Sequence, residues 1–164
     1  MGKKTIELTF DVYVTDDQLD PQDASLLQKA RAITTKAYAP YSRFYVGAAA
    51  LLSNGEIITG TNQENASFPA GICAEQVTLA AISSLYPGNE AIKVLAISYQ
   101  GQGIQSDHPI SPCGICRQAL VEHELRTHQT MRILLSGLSG EVYSIPTAQS
   151  LLPLAFSPDE LPGQ

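Results

Sequence analysis

Three cysteines and one glutamate are the residues of this chain whose types and spacing suit metal chemistry. Cys113 and Cys116 form a CxxC pair directly after Pro112, and Cys73 lies forty positions earlier in a Cys-Ala-Glu triplet that ends at Glu75. Three thiolates supply three of the four ligands of a tetrahedral zinc ion and leave one position open, as catalytic zinc sites do. The sequence therefore predicts one zinc ion per chain, bound by Cys73, Cys113 and Cys116.

Glu75 is the residue that could transfer protons at this predicted zinc site. It stands two positions after Cys73, too close to that ligand to serve well as a fourth ligand itself. Zinc lowers the pKa of a bound water molecule to about 7, so a neighbouring carboxylate can accept its proton at neutral pH and pass it on. The combination matches the general signature of zinc-dependent deaminases, which has a three-cysteine variant. It predicts hydrolytic removal of ammonia from an amino-heterocycle.

Two other interpretations of the cysteines stay open at this point. A CxxC pair also occurs in redox proteins, but a thioredoxin-like site would leave Cys73 and Glu75 without a role. A structural zinc site needs a fourth protein ligand, for which the spare candidates are His108, His123 and His128. We interpret these histidines as surface or capping residues, and we favour the catalytic zinc site over the structural one.

The composition limits the class of protein that carries these residues. The chain has 164 residues, the size of one ordinary domain, and its formal net charge is −6. Such an acidic chain repels phosphate backbones, which argues against nucleic acid as a partner. Three cysteines do not form a disulfide scaffold, and no apolar run predicts an export signal or a membrane span. We expect a cytoplasmic protein that binds neither nucleic acid nor a membrane.

The elements that must position these residues alternate between strands and helices. Alternating polar and apolar residues over 5–14 predict an N-terminal strand with one solvated face, and Asn54-Gly55 predicts a hairpin between residues 46–52 and 56–61. Further strands are predicted at 92–99, 131–136 and 141–145, with helices at 23–38 and from near Cys73 and Cys113. This order predicts a three-layer α/β/α domain with a central mixed sheet of about five strands, plus the extra N-terminal strand. We divide the chain into an extension at 1–22 and one catalytic domain at 23–164.

Five short motifs stand in the order found in cytidine deaminases. They occupy residues 39–44, 46–49, 62–66, 71–75 and 111–118. The chain therefore resembles the small zinc enzymes that deaminate free nucleosides in pyrimidine salvage, over about residues 24–160. The resemblance implies hydrolytic deamination of cytidine and 2′-deoxycytidine to uridine and 2′-deoxyuridine with release of ammonia. It also implies a homotetramer whose subunits share their sites.

The resemblance assigns roles to individual residues. Cys73, Cys113 and Cys116 match the zinc ligands, and Glu75 matches the proton shuttle that also contacts pyrimidine N3. Asn62 and Glu64 match the pair that binds the ribose 3′-hydroxyl, which suits an amide beside a carboxylate because a hydroxyl both donates and accepts. The remaining matches to substrate-binding positions, some of which reach a neighbouring subunit, are Phe44, Ala66, Ala74 and Phe156.

The chain also departs from the family at several positions. Gln76 stands where three-cysteine members carry an arginine that offsets the third thiolate, and Arg117 is the candidate to take over that task. Phe68 replaces a commoner tyrosine near the sugar. Two other functions remain open: deamination of a nucleoside-like antibiotic or modified base with the same zinc core, and a non-catalytic structural zinc module.

Overall fold

Six strands form one mixed sheet in the computed structural model, which describes residues 1–161. The strands run in the order β1-β6-β5-β4-β2-β3; β4 and β5 are parallel, and the other neighbouring pairs are antiparallel. The predicted mixed sheet with an added N-terminal strand is confirmed. The elements are β1 (Asp11–Tyr13), α1 (Pro21–Ile33), β2 (Phe44–Leu52), β3 (Ile57–Thr61), α2 (Ala74–Leu85), β4 (Ile92–Gly101), α3 (Gly114–Thr127), β5 (Arg132–Ser136) and β6 (Val142–Ile145).

Helices cover both faces of this sheet. Successive side chains of a strand point to opposite faces, and β2 shows this with small residues. Ala48 and Ala50 belong to the core formed with α2 and α3, whereas Ala49 and Leu51 pack against α1. The predicted three-layer α/β/α arrangement is confirmed, and α2 and α3 share one face.

The first helix begins and ends earlier than the predicted range of 23–38. Asp20 caps its N-terminus by accepting hydrogen bonds from two backbone amides, and Pro21 occupies the first helical position. After Ile33 the chain tightens into a short 3₁₀ turn, where the Thr34 hydroxyl donates to the Arg31 carbonyl at 2.6 Å. Within residues 1–161, no helix combines the length and the apolar character needed to cross a membrane.

The predicted N-terminal strand is much shorter than residues 5–14. Its partner β6 has only four residues, so pairing is limited to Asp11 opposite Ser144 through Tyr13 opposite Val142. Alternation in the sequence cannot report the length of a partner strand. The short strand nevertheless covers the open edge of β6, and the preceding Phe10 packs its ring 5.0 Å from that of Tyr143.

Candidate metal and catalytic site

The topology brings the three cysteines to one edge of the sheet. Strands β3 and β4 run in the same direction because each is antiparallel to β2. Each is followed by a helix, so α2 and α3 both begin near the carboxyl ends of their strands, where the sites of open α/β sheets lie. Cys73 is the N-cap of α2 and Cys113 is the N-cap of α3. Residues forty positions apart therefore meet.

The sulfur atoms are spaced as zinc requires. The Sγ atoms of Cys73 and Cys113 are 3.8 Å apart, those of Cys113 and Cys116 are 3.4 Å apart, and all three lie within 4.8 Å of one another. A tetrahedral zinc ion with sulfur ligands at about 2.3 Å holds those sulfurs about 3.8 Å apart. Cys116 is buried whereas Cys113 is exposed, so the cluster opens to solvent on one side. This donor set fits one zinc ion.

The thiols influence one another's protonation. A hydrogen bond from the Cys116 thiol lowers the pKa of Cys73 to about 7, although burial and the charge of Glu75 act in the opposite direction. The same hydrogen bond, together with burial, raises the pKa of Cys116. Because Cys73 also caps the positive end of a helix, it is the thiol of this pair that favours the thiolate form near neutral pH.

Glu75 lies beside the cysteine cluster in the first turn of α2. Its side chain is buried, and this burial raises the pKa of its carboxyl group. Its negative charge raises the pKa of Cys73 and of Cys116. A carboxyl group whose pKa is raised toward neutrality is suited to accept and return a proton during a reaction.

Gly60 in β3 sets the position of this helical turn. A Cβ atom at Gly60 would lie 2.8 Å from the Ala74 carbonyl oxygen and 2.5 Å from the Thr78 hydroxyl. Real Cβ atoms do not approach other atoms this closely, so any other residue would displace α2 from the strand. The missing side chain therefore lets the turn with Glu75 rest directly on the sheet.

The predicted sugar-binding carboxylate, Glu64, lies in a cleft of about 430 Å³. It accepts hydrogen bonds from the backbone amides of Tyr41, at 2.8 Å, and Ser42, at 3.3 Å. Hydrogen bonds from Ser42 and then Tyr41 lower the pKa of Glu64. Asn65 and Phe68 line the same cleft, but the cysteines do not. Glu64 thus presents a fixed, ionised carboxylate to the cleft.

Asn62, the predicted partner of Glu64 in sugar binding, forms hydrogen bonds with the backbone of β2. Its Oδ1 atom accepts a hydrogen bond from the Val46 amide at 2.7 Å, and its Nδ2 atom donates to the Phe44 carbonyl at 2.9 Å. The side chain therefore holds the start of β2 on both sides of Tyr45. An amide NH₂ group has two donors, so Nδ2 retains one hydrogen for a ligand.

The other predicted residues differ in how far they are exposed to solvent. Ala74 is fully buried at the start of α2, and Ala66 is exposed in the loop that precedes it. The Phe156 side chain is 58% exposed, while its carbonyl accepts a hydrogen bond from the Gln118 side chain at 2.8 Å. Arg117 donates to the carbonyl oxygens of Pro112 and Leu151, so its hydrogen bonds stabilise the backbone before Cys113 and do not go to a sulfur atom.

One aromatic residue near the predicted site was not identified from the sequence. Tyr99 in β4 stacks on Phe44, with ring centroids 5.3 Å apart and planes at 23°. Tyr99 belongs to no motif, and its only sequence signal is an aromatic residue near the end of an apolar strand. The contact depends on the register between β2 and β4, which the sequence does not state.

Comparison with known proteins gives consistent matches over most of the chain. Residues 20–131 match the family model for the cytidine and deoxycytidylate deaminase zinc-binding region. A cytidine deaminase of Sporosarcina psychrophila is 35% identical over 136 residues, covering 83% of this chain and 92% of the relative. One from Mycobacterium tuberculosis is 39% identical over 132 residues, covering 78% and 84%. The crystal structure of cytidine deaminase from Burkholderia pseudomallei matches with a TM-score of 0.68 and 36% identity, covering 80% of this chain and 97% of that one.

Proposed function

The chain belongs to the cytidine and deoxycytidylate deaminase family, and on that premise we propose how its residues perform the reaction of a cytidine deaminase. The reaction is zinc-dependent hydrolysis of cytidine and 2′-deoxycytidine to uridine and 2′-deoxyuridine, with release of ammonia. The observation that carries the proposal is the meeting of three cysteine sulfurs within 4.8 Å at two helix N-termini, beside the buried Glu75.

The cofactor is one zinc ion per chain, which the family model and the three-cysteine cluster support. We assign Cys73, Cys113 and Cys116 as its protein ligands. Zinc bound to three protein ligands lowers the pKa of a water molecule to about 7 and so supplies a nucleophile at neutral pH. The two helix N-termini favour the negative charge that the thiolates bring to this edge of the sheet.

Glu75 is the proposed catalytic residue because it transfers protons at the reacting atoms. It accepts a proton from the attacking water and delivers it to N3 of the pyrimidine as the oxygen adds to C4. It then accepts the remaining proton from the new C4 hydroxyl and passes it to the amino group; the C4–N bond breaks as the C4=O bond of uridine forms, and ammonia leaves. Its burial and its raised pKa support this role, since a carboxyl group that binds its proton more firmly is better suited to hold it between the two transfers.

Six further residues are proposed to position the nucleoside. Glu64 accepts a hydrogen bond from the ribose 3′-hydroxyl, and the free Nδ2 hydrogen of Asn62 donates to the same group. Phe44 packs on the pyrimidine from the sheet. The remaining three proposed contacts are Ala66, Ala74 and Phe156.

A homotetramer with shared sites is proposed, and exposed apolar side chains in the cleft and in the C-terminal segment support it. Phe68 is 75% exposed, Phe156 is 58% exposed and Leu154 is 88% exposed. Neighbouring subunits that cover these side chains would bring Ala66 and Phe156 to one another's sites. We further propose a cytoplasmic location, because three free cysteines need reducing conditions to remain zinc ligands.

The division of the chain also stays a proposal. Residues 1–22 are treated as an extension and 23–164 as the catalytic domain, of which 162–164 lie outside the described residues. The family match from residue 20 and the pairing of β1 with the edge of β6 support this division. The net charge of −6 supports a small uncharged nucleoside as the substrate over nucleic acid.

The decisive experiment compares Glu75→Gln with Glu122→Gln, a variant of an exposed glutamate in α3. Zinc-loaded wild-type protein and Glu122→Gln should convert cytidine to uridine, measured by the loss of cytosine absorbance. Glu75→Gln should retain one zinc per chain and lose about 10²- to 10⁴-fold in kcat, the usual contribution of a general acid and base. Normal turnover by Glu75→Gln with zinc bound would contradict the assigned role. Absence of turnover by zinc-loaded wild-type protein would contradict the proposed function.

A further inference from the structure

We propose that Tyr99 is a positioning residue for the pyrimidine, acting through the ring of Phe44. The proposal rests on the proposed function, in which Phe44 packs on the substrate base. Tyr99 itself is 1% exposed and so does not meet the substrate from its place inside the fold. It acts as the support on which the half-buried ring of Phe44 rests.

The strand register creates this support. Phe44 lies opposite Gly101, and Val46 lies opposite Tyr99, so Phe44 and Tyr99 are diagonal neighbours on one face of the sheet. Gly101, directly opposite Phe44, has no side chain, and Ile104 lies where its Cβ would be. The aromatic neighbour of Phe44 across the strand pair is therefore Tyr99. The resulting separation of 5.3 Å at 23° lies in the range of favourable aromatic stacking.

Tyr99 is itself held in one orientation. Its hydroxyl lies 3.3 Å from the Gln105 carbonyl and 3.3 Å from the His108 ring nitrogens. The His108 ring packs edge-on against it at 5.8 Å, and the Ser106 hydroxyl donates to its backbone carbonyl at 2.5 Å. These contacts therefore keep the tyrosine ring in place when a base stacks on the opposite face of Phe44.

The stack stands on the catalytic face of the sheet. Ile97 precedes Tyr99 by two positions and belongs to the core that packs against α2 and α3, so Tyr99 points to the same face. The N-termini of those two helices carry the cysteines. Phe44 is only half-buried, so its side chain keeps accessible area beside the contact with Tyr99, and the proposed position of the base is on the free side of the ring. A planar base that stacks on this free side extends the pair to three rings.

The test separates the ring of Tyr99 from its hydroxyl. Tyr99→Phe keeps the stack, and its KM for cytidine should remain within about twofold of wild type. Tyr99→Leu removes the stack, so Phe44 must be ordered when the base binds, and KM should rise roughly three- to tenfold with kcat within about twofold. Both variants should contain one zinc per chain. If Tyr99→Leu does not fold, Tyr99→Met, which keeps more of the buried volume, takes its place.

The matched control is Tyr143→Leu, which removes another packed aromatic side chain, one whose ring contacts Phe10 at a tilt. It should leave KM unchanged. An unchanged KM in Tyr99→Leu beside an active wild type overturns this inference alone, as does a rise of equal size in Tyr143→Leu or in Tyr99→Phe. A zinc-loaded wild type without cytidine turnover overturns the proposed function, and this inference with it.

Discussion

Removing the side-chain amide of Asn62 should weaken both the fold and substrate binding. In Asn62→Ala the Val46 amide and the Phe44 carbonyl lose hydrogen bonds of 2.7 and 2.9 Å. Each such bond contributes about 0.5–1.5 kcal/mol net, so the free energy of unfolding should fall by about 1–3 kcal/mol. The chain has no tryptophan, so unfolding in urea is best followed by far-ultraviolet circular dichroism with the metal content held constant.

Asn65→Ala is the matched control for this loss. Asn65 lies in the same loop and accepts one exposed hydrogen bond, from the Ser67 amide at 2.9 Å. Its replacement should cost less than about 1 kcal/mol, because solvent replaces the lost partner. An unfolding free energy of Asn62→Ala within about 0.5 kcal/mol of wild type would refute the claim that Asn62 anchors the start of β2.

The proposed sugar contact of Asn62 is tested separately with 3′-deoxycytidine. Wild-type protein should prefer cytidine, whereas Asn62→Ala should discriminate less between the two because one partner of the 3′-hydroxyl is gone. One lost hydrogen bond corresponds to a roughly 2- to 13-fold change in relative kcat/KM. If wild type and Asn62→Ala show the same preference for cytidine over 3′-deoxycytidine, Asn62 does not bind the 3′-hydroxyl and its role is structural only.

Two further predictions concern buried ionisable residues of α3. Glu124 accepts hydrogen bonds from three backbone amides and one hydroxyl, so Glu124→Ala should lower the free energy of unfolding by at least about 3 kcal/mol in urea titrations, whereas exposed Glu122→Ala should stay within about 0.5 kcal/mol. Burial, followed by the charge of Arg126, lowers the pKa of His123 to about 4. The unfolded chain therefore binds the extra proton, and stability should fall as pH drops from about 6.5 toward 4, by up to about 3 kcal/mol. His123→Gln should lack this part of the pH dependence while His128→Asn keeps it; identical profiles for His123→Gln and wild type would contradict the assignment.

The metal centre was largely predictable because its signals are local. The CxxC pair, the Cys-Ala-Glu triplet and the helix starts at Cys73 and Cys113 follow from residue types within a few positions of one another, and the structure places both cysteines at helix N-caps. The extents of elements that depend on a distant partner were less predictable. The alternation over residues 5–14 could not show that its partner strand, β6, is only four residues long.

The supports of the substrate site were not predictable for a related reason. The backbone amides of Tyr41 and Ser42 hold Glu64 only because a loop twenty positions away folds back to it. The stack of Phe44 on Tyr99 depends on the register between β2 and β4, which the residue types of either strand alone do not specify. Sequence motifs therefore predicted the groups that we propose to react, whereas the side chains and amides that hold them in place became visible only in the tertiary structure.

The position of the cysteines at the starts of two different helices also affects how the chain folds. The ligand set is complete only after β3, α2, β4 and the start of α3 have all assembled, because each helix supplies only part of it. A metal ion that joins Cys73 to Cys113 closes a loop of forty residues, and the chain-entropy model for a covalent cross-link of that length gives about 4 kcal/mol. The rate of metal binding during refolding should therefore report the rate at which α3 docks beside α2. The ion proposed to serve the reaction would also cross-link two distant parts of the chain and so stabilise the fold.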